Sequence, residues 1–255
     1  MTPTLRTENL SRHWGAFAAN RDVSLTIPHG ARHALIGPNG AGKTTLVNLL
    51  TGALAPSAGR IFLGDADITA LPQHARVRRG LTRTFQINTL FPSLTVLESV
   101  TMAVAERTGA ARIWWRTVAS QRALADEAIA LLASLQLDAD AGTETRHLPY
   151  GKQRLLEIAL ALATKPSILL LDEPAAGIPQ AESAELFAAI AALPRDVSIL
   201  FIEHDMDLVF RFAERITVLV GGSVLTEGTS AQIAADPRVR EVYLGEAQKD
   251  GAAHA

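Results

Sequence analysis

The chain has 255 residues, with 24 Lys and Arg against 26 Asp and Glu, for a formal charge of −2. That balance argues against a broad nucleic-acid footprint, which needs clustered positive charge, and the absence of cysteine excludes disulfides, thiolate nucleophiles and cysteine-ligated zinc. At 48% hydrophobic residues the chain can bury a large core, yet no apolar run approaches the roughly 20 residues of a membrane span. The first residues, MTPTLRTENL, lack the apolar centre of a signal peptide.

In chain order, the first stretch reads as short strands. Residues 5–9 alternate, and residues 23–27 alternate more clearly before Pro28 and Gly30. Residues 34–36 form an apolar run stopped by Gly37-Pro38-Asn39-Gly40, as expected of a strand buried on both faces. From Lys43 the pattern becomes helical, with Gly52 as its stop, and residues 60–63 predict another strand. Between about 95 and 164 the pattern is mostly helical. Thr95 and Glu98 have capping-box spacing, residues 123–135 are amphipathic, and residues 155–163 predict a helix ended by Lys165-Pro166. Strand and helix then alternate again: strand 168–171, helix 181–193, strand 198–202, helix 206–213, strand 216–220 and helix 231–235. Buried strands alternating with helices imply an α/β fold with a parallel sheet, interrupted by a helical block.

Residues 37–44, GPNGAGKT, fit G-x-x-x-x-G-K-[ST]. Glycines let such a loop wrap closely, so that successive N–H groups converge on anionic oxygens at a helix N-terminus. Lys43 then reaches the β- and γ-phosphates of a nucleotide, and the Thr44 hydroxyl joins a Mg²⁺ shell. The alternative is a glycine-rich turn that carries Lys-Thr; the strand before it and the helix after it favour the phosphate cradle. Asp172 and Glu173 follow a buried strand, where open α/β sheets bind ligands. There Asp172 can hold the metal shell and Glu173 can polarise the attacking water. On the next predicted strand, His204 can hydrogen-bond the γ-phosphate and orient that water.

This ordered set resembles the nucleotide-binding subunits of ABC transporters, over nearly the whole chain. The motifs are GPNGAGKTT from Gly37, RTFQ ending at Gln86, LPYGKQR from Leu148, ILLLDEP from Ile168 and IEHD from Ile202. The resemblance implies a P-loop NTPase core, an antiparallel β subdomain and an inserted helical subdomain. It makes residues 1–250 one domain, with 1–89 and 165–245 as core and β subdomain, 90–164 as the helical part and 246–255 as a tail. It implies that ATP is held by Gly37, Pro38, Asn39, Gly40, Ala41, Gly42, Lys43, Thr44 and Thr45. Trp14 stands where an aromatic stacks on adenine, the alternative being core packing. Mg²⁺ falls to Thr44, Gln86 and Asp172, and catalysis to Glu173, His204, Gln86 and Lys43. Gln86 would also couple to membrane subunits through a groove near Leu90 and Phe91. Gly151 belongs to the signature segment, which caps the γ-phosphate of a second subunit.

Within the family, RTFQ, YGKQR-LLEIA, LDEPAAG, EHDM and VYLGEA resemble importers of branched-chain and other hydrophobic amino acids. That implies an ATPase at the cytoplasmic face of the plasma membrane, working with a second ATPase subunit, two integral-membrane permeases and, indirectly, a solute-binding protein. The other readings are a lipid or lipopolysaccharide export ATPase and a non-transport ABC switch. The signature departs from LSGGQ: Pro149 lacks the serine hydroxyl, Tyr150 replaces Gly, and Lys152 replaces Gln or Glu. Pro179 stands where an Asp is common in the loop 175–179. Trp114-Trp115 suggests helical packing in preference to docking, and Arg76, Arg78, Arg79 and Arg83 suggest a solvated, salt-bridged face in preference to nucleic-acid binding.

Overall fold

The computed structural model describes residues 4–84, 90–109 and 118–243. It runs β1 (Leu5–Trp14), β2 (Phe17–Val23), β3 (Thr26–Ile27), β4 (Arg32–Ile36), α1 (Lys43–Thr51), β5 (Ala58–Leu63), β6 (Ala66–Asp67), α2 (Gln73–Arg78) and β7 (Leu81–Arg83). The helices α3 (Val96–Arg107), α4 (Val118–Ser134) and α5 (Tyr150–Leu162) follow. Then come β8 (Ile168–Asp172), α6 (Gln180–Ala192), β9 (Ser198–Ile202), α7 (Met206–Phe212), β10 (Arg215–Val220), β11 (Ser223–Gly228) and α8 (Ser230–Ala235).

The larger sheet has the order β11-β10-β4-β9-β8-β7. Its pairings are parallel except for β10 with β11. Every residue of β4, β8 and β9 is buried, which explains the apolar runs 34–36, 168–171 and 199–202 within them. Alternate residues serve opposite faces, as the pleat requires. Ile36, Leu169, Leu171, Ile199 and Phe201 pack with α3–α7, whereas Leu35, Leu170, Leu200 and Ile202 pack with α1, β1 and β5. The smaller sheet is antiparallel, in the order β2-β1-β5-β6 with β3 also on β1.

Between β7 and β8, α3 is fixed at its start by the expected capping box of Thr95 and Glu98. Val96, Val100 and Val104 of α3 bury with Ala128 and Leu132 of α4 and Leu156 of α5. At the far end Arg107 Nη2 grips both carboxylate oxygens of Glu127 at 2.7 and 2.8 Å.

Four expectations need correction. Residues 23–27 are not one strand: β2 ends at Val23, and β3 begins at Thr26. Thr7 Oγ1 donates to the Val23 carbonyl and accepts from Leu25 N–H, so a side chain takes the ladder's place at the break. Burial still alternates at Val23, Leu25 and Ile27, which is the pattern the sequence carried. Helix α5 starts at Tyr150 and not at 155, because Pro149 at its N-cap sets an extended entry (φ −54°, ψ 150°). Arg76 is 1% exposed and no part of a solvated face. It donates to the carbonyls of Leu49, Leu50, Leu71 and Thr69 and so closes the C-terminus of α1. Arg83 is likewise turned inward. The expectation for Trp114 and Trp115 lies outside the described residues.

Candidate nucleotide site

The loop 37–42 leaves the carboxyl end of β4 and runs into α1. Two of its glycines are fixed by close approach. A Cβ at Gly37 would lie 2.1 Å from the Leu219 carbonyl oxygen, and one at Gly42 (φ +95°) would lie 2.3 Å from that of Ala19. Strand β2 and the β10–β11 turn hold the loop in place: Asn20 Nδ2 donates to the Gly42 carbonyl, and Gly222 N–H to that of Ala41. Lys43 is buried, and its Nζ donates to the carbonyls of Gly37 at 2.5 Å and Pro38 at 3.0 Å. That puts a positive charge inside the curl of the loop, at the N-terminus of a helix.

A cleft of about 320 Å³ opens in front of this loop. It is lined by Trp14, Phe17, Ala19, Asn39, Gly40, Ala41, Gly42, Lys43, Thr44, Thr45, Glu173 and His204. Sheet order explains the convergence. Strand β9 lies between β4 and β8, all three parallel, so their carboxyl ends meet at one edge. Asp172 pairs in register with Ile202, which places Glu173 beside His204. His204 Nε2 lies 2.7 Å from Glu173 Oε1. Glu173 adopts φ +49°, a conformation costly for a side chain larger than glycine. Its N–H donates to the Ile202 carbonyl, which holds it there.

Trp14 is 46% exposed and Phe17 65% exposed. The alternative of core packing for Trp14 therefore does not hold. The two residues flank the Gly15 turn of the β1–β2 hairpin and pair in register across it. The Arg12 guanidinium lies 5.0 Å from the Trp14 ring centroid. Gly151 and Asp172 do not line this cleft. Gly151 sits in the first turn of α5, where a Cβ would come 2.8 Å from Glu182 Oε2. Asp172 is buried at the end of β8 and pairs with Arg83 at 2.5 Å. Gln86 lies outside the described residues.

Sequence reasoning passed over several contributors. Phe17 escaped because the start of β2 was not read; the signal was a glycine turn flanked by two aromatics. Glu203 is buried and accepts from Ala175 N–H at 3.0 Å and His204 N–H at 3.2 Å, which ties the loop after β8 to the loop after β9. Burial pushes its carboxyl above the usual range, against the pull of those two donors. Arg83 was read with its basic neighbours in sequence, while its partners come from α1 and β8.

The sequence pattern of the ABC transporter family matches residues 20–176, and that of the branched-chain amino acid ATP-binding cassette transporter matches residues 223–249. The chain is 40% identical over 252 residues to the high-affinity branched-chain amino acid transport ATP-binding protein LivG of Escherichia coli K12, covering 96% of this chain and 99% of that one. It is 39% identical to BraF of Pseudomonas aeruginosa over the same lengths. Among solved structures, the ADP conformation of MJ1267, an ATP-binding cassette of an ABC transporter, superposes with a TM-score of 0.82 at 29% identity, over 96% of this chain and all of that one. The phosphate loop, the carboxylate pair and these matches agree: the chain belongs to the ATP-binding family of ABC transporters.

Proposed function

We propose that the chain binds and hydrolyses ATP in the cleft before residues 37–45 and that this reaction powers import of branched-chain amino acids. The observation that carries the chemistry is the meeting of Lys43 and Thr44 with Glu173 and His204 across one cleft. The cargo assignment rests on the near full-length identity to LivG and BraF and on the match at residues 223–249.

Each residue has a task that follows from its place. The backbone amides of 39–44 and the Lys43 ammonium hold the phosphate chain. Trp14 offers a ring face to the base. Glu173 takes the proton of the attacking water, and His204 holds Glu173 in position and faces the same cleft. The hydroxyl of Thr44 and the carboxylate of Asp172 are hard oxygen donors suited to Mg²⁺, and Gln86 is proposed as the third. When bound, Mg²⁺ supplies charge neutralisation at the β- and γ-phosphates.

Gly151 lies outside its own chain's cleft, which fits a signature segment serving the site of a second ATPase subunit. MJ0796, 24% identical, has been solved as a dimeric ABC transporter cassette. Two permeases and a solute-binding protein would complete the transporter, with this chain peripheral at the cytoplasmic face. No described helix is long and apolar enough to cross a membrane.

The test pairs ATPase assays of the purified chain with leucine uptake in cells lacking its gene. Mg²⁺-dependent hydrolysis and lost uptake, restored by the wild-type gene and not by Glu173→Gln, are expected. Hydrolysis with unchanged uptake would overturn the cargo assignment, and no hydrolysis at all by the chain or its transporter would overturn the whole.

A further inference from the structure

Arg83 ends β7 and bridges two elements of the site. Its Nη1 donates to Asn48 Oδ1 at 2.8 Å, and its Nη2 to Asp172 Oδ2 at 2.5 Å. The pair is enclosed: the Arg83 side chain is 13% exposed and that of Asp172 3%. Asn48 lies one helical turn beyond Thr44, on the same face of α1. The guanidinium is thus held from both sides, between the helix that starts with the phosphate loop and the strand end that carries Asp172. A long cationic side chain has many rotamers, and the Asn48 bond keeps this one at its station.

We propose that Arg83 is a tethered counter-cation of Asp172. It lowers the affinity of this carboxylate for a lone divalent cation, so that a cation is retained only when nucleotide phosphates supply the rest of its ligands. The inference rests on the reading of Asp172 and Thr44 as cation ligands. The argument is Coulombic. A guanidinium and a divalent cation on one carboxylate stand a few ångströms apart, and in a partly buried site their repulsion exceeds thermal energy several-fold. A triphosphate brings several negative charges and reverses the balance. Arg83 acts through Asp172 and touches no reacting atom.

The test is Mn²⁺ binding to the full chain, followed by electron paramagnetic resonance of the free ion. Without nucleotide, Arg83→Gln removes the charge and keeps a hydrogen-bond donor. It is expected to bind Mn²⁺ about tenfold more tightly than wild type, the scale on which partners of metal ligands act. Arg83→Lys, which keeps the charge, stays at the wild-type value, and adding Asp172→Asn to Arg83→Gln erases the gain. Mere loss of a structural contact would weaken binding, not strengthen it. Unchanged or weaker Mn²⁺ binding by Arg83→Gln overturns the proposal, as does a gain that survives Asp172→Asn. Arg83→Met replaces Arg83→Gln if circular dichroism shows the latter unfolded. With ATP present, Asp172→Asn alone must weaken Mn²⁺ retention. If it does not, the reading of Asp172 as a ligand fails; if it does while Arg83→Gln shows no gain, only the role of Arg83 fails.

Discussion

The cleft before residues 37–45 and the segment around 149–177 satisfy their polar groups in different ways. At the cleft, loop amides, Thr44 and the Glu173–His204 pair face an open space, and Lys43 lies in the curl of the loop. Around 149–177 the chain binds itself. Arg154 donates to the Tyr150 hydroxyl at 2.6 Å and to Glu157 at 2.8 Å, and the Tyr150 hydroxyl donates to the Ala176 carbonyl at 3.5 Å. Lys152 pairs with Asp140 at 2.7 Å. Burial pushes the Glu157 carboxyl upward, and Arg154 opposes that shift. One region leaves its polar groups open to a cleft; the other engages them with partners within the chain. The lesson is that Tyr150 and Lys152, which break the common signature, have structural employment within their own chain.

Substitutions on the two sides should therefore separate binding from stability. Under the proposed function, Lys43→Ala removes charge-assisted bonds to two phosphates at about 1.5–3 kcal/mol each. ATP affinity should fall on the order of 10³-fold by equilibrium titration. Glu173→Gln should keep ATP binding and lower turnover about 10³-fold, as loss of a general base does. Light scattering of that variant with Mg·ATP should show a doubled mass. A monomer that still binds ATP would mean that a different chain supplies the opposing signature.

The strand that feeds the loop gives a pH signature. His33 of β4 is buried, its Nε2 is 2.8 Å from Thr217 Oγ1, and burial lowers its pKa to about 4, with Glu227 opposing. The unfolded chain, near 6.5, takes up this proton first, so stability is retained above 6.5 and lost as pH falls toward 4. The loss due to His33 is about 3 kcal/mol, and His33→Gln should flatten the profile of chemical unfolding by that amount. Trp14→Ala should weaken ATP about tenfold, the low end for an aromatic stacked on a base, and leave stability unchanged. Tyr150→Phe should do the reverse, costing about 1 kcal/mol in unfolding with no change in ATP binding by the monomer. A weakened ATP affinity in Tyr150→Phe would erase the distinction between the two regions.

The sequence by itself determined the parts whose information is local. The loop 37–44 could be read because its glycines, Lys43 and Thr44 stand at the fixed spacing of a phosphate-binding loop. Strands β4, β8 and β9 could be read because a strand buried on both faces carries a continuous apolar run, here 34–36, 168–171 and 199–202, and α3 because its capping box closes within four residues. The short elements α2, β6, β7 and β11 carry no such pattern: the three strands are held by pairing with their neighbours, and α2 is tied to α1 through Arg76. Only the tertiary structure decided where the charges went. Arg76 and Arg83 belong to one basic run, yet one closes α1 and the other bridges Asn48 and Asp172. A guanidinium pairs with whatever acceptors the fold brings to it, and those acceptors lie 5 to 89 residues away in the chain. Glu203 and the brace of Tyr150 are of the same kind: the residue is local, and its partner is set by packing.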